Sequence, residues 1–155
     1  MVRVTFDLRT GASPEAVRAA LLDFSERRPD LWPGLPRDQY EVYEVGDTWA
    51  EVREGYRGII WNRERYDWSQ PDAVIWTAVA SGFARPGKRV ILHIDPREGG
   101  GARVHGSWEA VGTGVLGRVF VGLMGLTRGY FIARSFRMGL DRLEALGAGG
   151  APTIR

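Results

Sequence analysis

Apolar and polar residues alternate strictly over positions 2–8, with Val2, Val4, Phe6 and Leu8 set against Arg3, Thr5 and Asp7. A period of two predicts a half-buried strand. Thr10-Gly11-Ala12 interrupts it, and Ser13-Pro14-Glu15 reads as a helix start. There Ser13 caps, Pro14 suits the first helical position, and Glu15 suits the positive end of the helix dipole. Val17, Ala20, Leu21 and Phe24 then share one face of a short helix. Pro29, Pro33 and Pro36 end it, and Asp30-Leu31-Trp32 between them leaves room for one further turn.

From Tyr40 onward the pattern is strands and turns. Residues 40–45 and 48–54 flank Gly46-Asp47, a pair whose leading glycine suits a type II′ hairpin. Residues 59–68 alternate and run into the turn cluster Ser69-Gln70-Pro71-Asp72. Further strands are expected over 73–83, 89–95 and 102–111, the last two joined across Gly99-Gly100-Gly101. Six successive strands with short turns predict an antiparallel meander. After Gly112-Thr113-Gly114 the period becomes helical, and Ile132, Phe136, Leu140, Leu143 and Leu146 form one apolar stripe. Gly117, Gly122, Gly125 and Gly129 each weaken a helix by about 1 kcal/mol relative to Ala. A broken or short helix is therefore expected there. These small residues either leave room for a ligand, permit motion at a pocket entrance, or contact another chain through Gly125-x-x-x-Gly129, which leaves a homodimer open.

The order of elements predicts an α+β domain over residues 1–147, with a loose tail over 148–155. About seven strands would curve around a long C-terminal helix, with two short helices after the first strand. A strongly curved sheet does not close fully on a single helix, so an internal cavity for a small hydrophobic molecule is expected. The 155 residues suit one domain, and the 44% hydrophobic and 26% charged composition is that of a globular protein. The absence of cysteine removes disulfides and thiolate chemistry and agrees with a cytoplasmic location. The first residues lack the apolar core of a signal peptide. The most apolar stretch, 119–126 between Arg118 and Arg128, falls short of the roughly 20 residues that span a bilayer. With a net charge of +2 and interleaved signs, no nucleic-acid partner is expected. Arg128, Arg134, Arg137 and Arg142, offset by Asp141 and Glu144, read as a solvated helix face.

Three segments together resemble the SRPBCC superfamily, the helix-grip proteins that include START lipid-transfer domains and bacterial polyketide cyclase-like proteins. They are Ala12-Ser13-Pro14-Glu15-Ala16-Val17, Trp61-Asn62-Arg63-Glu64-Arg65-Tyr66-Asp67-Trp68, and Ala133-Arg134-Ser135-Phe136 with Leu140-Asp141-Arg142-Leu143. The resemblance spans about residues 4–146 and implies the helix-grip fold and a bound lipid, polyketide or similar hydrophobe. It informs fold more than function.

If Ile60 and Trp68 face the pocket, so do Asn62, Glu64 and Tyr66, while Trp61, Arg63, Arg65 and Asp67 face water. A buried Glu64 would serve as a general acid or base, and the Tyr66 hydroxyl would orient a ligand carbonyl. In a cyclase or dehydratase of the polyketide type these two are the catalytic candidates. Alternatively Glu64 pairs with an arginine on the sheet and is structural. Trp76 and Trp108, two of six tryptophans, either stack on a flat ligand or pack the core. Met124 and Phe131 are further candidates for the cavity wall, and Trp49 is expected outside. His93 and His105 are out of phase with their apolar neighbours and lack a third ligand, so neither a metal nor a cofactor is expected. No G-x-S-x-G elbow serves Ser81, Ser107 or Ser135. Three functions remain: a carrier or sensor, a cyclase-like enzyme, or an interaction module with a filled core.

Overall fold

The protein is seen in a computed structural model that describes residues 1–148; of the expected tail, residues 149–155 lie outside the described part. Strand β1 (Val2–Thr10) leads to helix α1 (Pro14–Leu21), the single turn α2 (Arg28–Leu31) and a 3-10 turn at Arg37–Gln39. Six strands follow: β2 (Glu41–Val45), β3 (Trp49–Gly55), β4 (Trp61–Asp67), β5 (Ala73–Ser81), β6 (Arg89–Pro96) and β7 (Ala102–Ala110). Helices α3 (Gly114–Leu126) and α4 (Tyr130–Ala148) follow. The strands form one antiparallel sheet in the order β1-β7-β6-β5-β4-β3-β2, so the meander is continuous and β1 closes onto its far end. Register shifts leave Tyr43 of β2 and Val79 of β5 as extra residues opposite β3 and β4, the local irregularity that bends a strand and curves a sheet.

Local chemistry explains the ends of the elements. The Ser13 hydroxyl accepts the Ala16 N–H at 3.1 Å and caps α1. Phe24 lies beyond this helix, and α2 begins earlier than expected, with Pro29 inside its first turn where the missing N–H costs nothing. The β2–β3 turn is not the expected type II′. Gly46 has no positive φ and its N–H donates to the Trp49 carbonyl at 2.7 Å, which leaves Asp47-Thr48 as the loop. The glycine is needed for space instead, because a Cβ there would strike the Trp49 indole.

The glycine-rich stretch makes a regular 13-residue helix, α3, broken from α4 at Thr127–Gly129, where Arg128 (φ 52°) and Gly129 (φ 74°) turn the chain through 75°. Three of its glycines are contact points. A Cβ at Gly117 would meet the Phe83 carbonyl, one at Gly125 would come within 2.8 Å of Val2, and one at Gly129 within 2.8 Å of Val4. Close approach of helix to strand compensates for their low helix propensity. Of the stripe on α4, Ile132, Phe136, Leu140 and Leu143 face the core, while Leu146 lies past the sheet and is exposed. The C-terminal half of α4 is tied to the end of β1 by Glu144, which accepts from the Thr10 hydroxyl at 2.5 Å and the Gly11 N–H at 2.6 Å.

The grip of sheet on helix centres on Phe6 and Phe136, stacked with ring centroids 5.3 Å apart. Phe6 lies across from Gly106 in the β1–β7 register, and its ring covers the space a Gly106 side chain would fill. Gly106→Ala should therefore push Phe6 off Phe136 and lower stability by about 1–3 kcal/mol, the range for overpacking. Urea denaturation measures this. Unchanged stability would mean that Phe6 can turn aside and that the stack is dispensable.

Candidate functional site

Strand β4 is buried on alternate positions, which sends Glu64 and Tyr66 inward and Arg63, Arg65 and Asp67 outward. The inner face of the sheet, α4 and the segment after α1 enclose a cavity of about 240 Å³. Trp76, Trp108, Phe83, Phe120 and Phe136 lie on its apolar wall, and Asn62, Glu64, Tyr66, Lys88, Arg28 and Glu54 form its polar side. A shallower apolar groove of about 540 Å³ shares Tyr56, Ile60, Phe120 and Met124 with the cavity and forms its mouth.

Two ion pairs make up the polar side. Lys88 Nζ donates to Glu64 Oε1 at 2.5 Å, with both residues buried. Arg28 Nε donates to Glu54 Oε1, its Nη2 to the Tyr66 hydroxyl at 3.0 Å, and its Nη1 to the Leu21 carbonyl at 2.8 Å. The Tyr66 hydroxyl donates in turn to Glu54 Oε2 at 2.7 Å. Arg28 is thus held on three sides, and its guanidinium also lies 4.7 Å from the Phe24 ring. The Lys88 ammonium makes one hydrogen bond among the described residues, so two of its three donors are free. Asn62 Oδ1 is buried and unpartnered among the described residues.

Burial drives the protonation chemistry. It pushes the Glu64 carboxyl above its ordinary value, against the pull of the Lys88 ammonium. It also lifts the Tyr66 phenol well above its usual range, with the Glu54 carboxylate adding to the effect, so Tyr66 stays a neutral donor. Desolvation pulls Arg28 down, but Glu54, Tyr66 and Tyr40 together outweigh it and hold the guanidinium above the ordinary arginine value.

Of the residues singled out from sequence, Asn62, Glu64, Tyr66, Trp76, Trp108 and Met124 all line the cavity. Phe131 does not. It is 49% exposed on the first turn of α4, one position off the inward stripe, and lines the outer groove instead. Glu64 is paired, though with Lys88 rather than an arginine. Trp49 lies on the outer face under Arg65, 4.0 Å from its ring centroid. His93 and His105 are direct cross-strand neighbours on that outer face, and no cluster of three metal-ligating side chains occurs among the described residues. Lys88, Arg28 and Glu54 were not anticipated. Lys88 and Glu54 share the parity of inward residues, Lys88 with Val90, Leu92 and Ile94, and Glu54 with Ala50 and Val52. That parity was a usable signal.

This architecture is a helix-grip fold, as expected from the sequence. No protein-family model matches the chain, and a search of curated proteins finds no match. Solved structures do match. A Thermus thermophilus protein superposes with a TM-score of 0.73 at 17% identity, covering 93% of this chain and 98% of that one. The Zhui aromatase/cyclase from a Streptomyces species gives 0.70 at 12% identity, over 91% and 90% of the two chains. A norcoclaurine synthase from Thalictrum flavum, solved with dopamine and hydroxybenzaldehyde, gives 0.69 at 12%, over 97% and 88%. At such identities the likeness carries the fold.

The Lys88–Glu64 pair has a measurable signature. Removing one member of a buried pair strands the other charge, so Lys88→Met should cost about 3–5 kcal/mol at neutral pH, with most of it recovered in Glu64→Leu/Lys88→Met. Without its cation, Glu64 has its proton affinity raised further. A raised carboxyl pKa favours the folded state below the group's unfolded value and loses that stabilisation as pH rises toward the folded one. The Lys88→Met variant should therefore regain stability on acidification relative to neutral pH. Denaturation curves across pH check this, and a loss that does not depend on pH would count against a buried charge.

Proposed function

We propose that the cavity binds a small aromatic molecule with a carbonyl or hydroxyl at one end. The observation that carries this is the free donor capacity of Lys88 beside Glu64 at one side of a cavity otherwise walled by aromatic and aliphatic side chains. Flat rings suit the Trp76 and Trp108 walls, and an oxygen at the ligand's end suits Lys88 and Asn62. Volume limits the ligand. A cavity of about 150 Å³ holds benzene, so about 240 Å³ suits one or two rings and is small for a long acyl chain. The structure solved with dopamine and hydroxybenzaldehyde supports the same size class, since it holds one-ring molecules in the same fold. Within the wider expectation of a lipid, polyketide or similar hydrophobe, this selects the compact end.

A second reading is supported by the polar side itself. A carboxyl with raised proton affinity beside an ammonium suits acid–base chemistry at a carbonyl, as a cyclase or dehydratase requires. Glu64 would take a proton from carbon next to the carbonyl, while the free donors of Lys88 hold its oxygen.

Native mass spectrometry of the purified protein, followed by thermal shifts with one- and two-ring hydroxyaromatics and fatty acids, tests the binding reading. The compact aromatics should raise Tm, by about 2.7 kcal/mol of added stability at a hundred times Kd. Asn62→Leu, which leaves both ion pairs intact, should weaken binding about tenfold through a lost hydrogen bond. Retention of nothing, with no shift from any aromatic, would move the assignment to a filled core working through its surface.

A further inference from the structure

Helix α3 presents an unusual outer face. Its inward side, Gly117, Val121 and Met124, packs on the protein. The opposite side carries Val115 (78% exposed), Leu116 (67%), Val119 (64%) and Leu126 (83%), with Leu123 also exposed. These positions share one helical face, and Arg118 is the one charged residue on the whole helix. Tyr130, Phe131 and Met138 continue the apolar surface onto α4. A cluster of exposed apolar side chains of this kind marks an interaction site.

We infer that this face docks on an anionic lipid surface, with α3 lying in the interface plane. Charge selects the occupant. No aspartate or glutamate occurs between Glu109 and Asp141, while Arg118, Arg128 and Arg134 are exposed along the patch. A second copy fits poorly, because a two-fold contact would set these arginines against themselves with no acid in the segment to meet them. An anionic bilayer answers both features: acyl chains take the apolar face and headgroups take the arginines. No single helix is long and apolar enough to span, and α3 and α4 are bent by 75° with Asp141, Arg142 and Glu144 in the second half of α4, which favours α3 lying flat. The inference does not rest on what fills the cavity.

Co-sedimentation with vesicles of phosphatidylcholine alone, and with phosphatidylglycerol in equal parts, tests it. The protein should pellet with the anionic vesicles, weakly or not at all with the neutral ones, and less as salt is raised. Arg118→Ala and Arg134→Ala should each weaken binding about fivefold. Leu116→Glu/Leu126→Glu should abolish binding while leaving Tm unchanged, because both side chains are in solvent. Failure to bind anionic vesicles overturns the inference. So does a dimer in sedimentation velocity that Leu116→Glu/Leu126→Glu dissolves, which would assign the face to self-association.

Discussion

The structure depends on one ring. Phe136, midway along α4, meets Phe6 at 5.3 Å, Trp76 at 5.9 Å and Trp32 at 6.2 Å, so a single side chain holds the helix to β1, to β5 and to the segment after α2. Trp76 passes the contact on to Tyr66, stacked at 4.9 Å, and Tyr66 to Phe24 at 5.1 Å. Wide, stiff rings set as posts between a curved sheet and a helix do not fill the space between them as aliphatic side chains do. The cavity follows from that choice of residues. Tyr66 belongs to both systems: its ring is part of the aromatic run, and its hydroxyl joins Arg28 to Glu54.

The polar side of the cavity runs against stability. Replacing a buried ion pair by apolar groups of similar volume is often neutral or stabilising by about 1–4 kcal/mol. Here two such pairs lie under one sheet, and one of them leaves donors unused. A core built for stability alone would place valine or leucine at those positions, as it does at Val52 and Leu92 in the same inward rows. The pairs lie at the wall of the cavity, which favours a role in contacting what enters it.

Much of this could be read from the sequence because period two is a strong constraint. Once the face of Tyr66 was set, Asn62 and Glu64 followed, and the register shift beside Glu64 did not disturb them. The same reasoning stopped short at Lys88. It stands just outside β6, directly after Pro86-Gly87, where a charged residue reads as turn, yet the ladder continues to it: the Ala78 N–H donates to the Lys88 carbonyl at 2.7 Å, and Ala78 pairs with Glu64. Arg28 was illegible for another reason. It lies in a proline-bordered stretch without periodicity, and its partners, Glu54 and Tyr66, are fixed by tertiary packing alone. Phe131 was misplaced because the start of α4 depends on the Arg128–Gly129 turn, and a rotation of one residue carries a side chain from the wall to the outside.

The glycines of α3 show how one composition can serve two faces. Gly117 and Gly125 bring the helix close to the Phe83 backbone and to Val2, and that approach turns the larger apolar residues of α3 outward. A helix built to cover a core would have its leucines inward; this one puts Gly117, Val121 and Met124 there and spends Leu116, Leu123 and Leu126 on the surface. The groove at the cavity mouth is lined by Leu123 and Phe131, members of that same surface. If α3 rests on a bilayer, the mouth opens beside the acyl region, and an apolar ligand dissolved there reaches Trp76 and Trp108 without passing through water. Docking and loading would then be one event, and the exposed face and the buried cavity two parts of a single route.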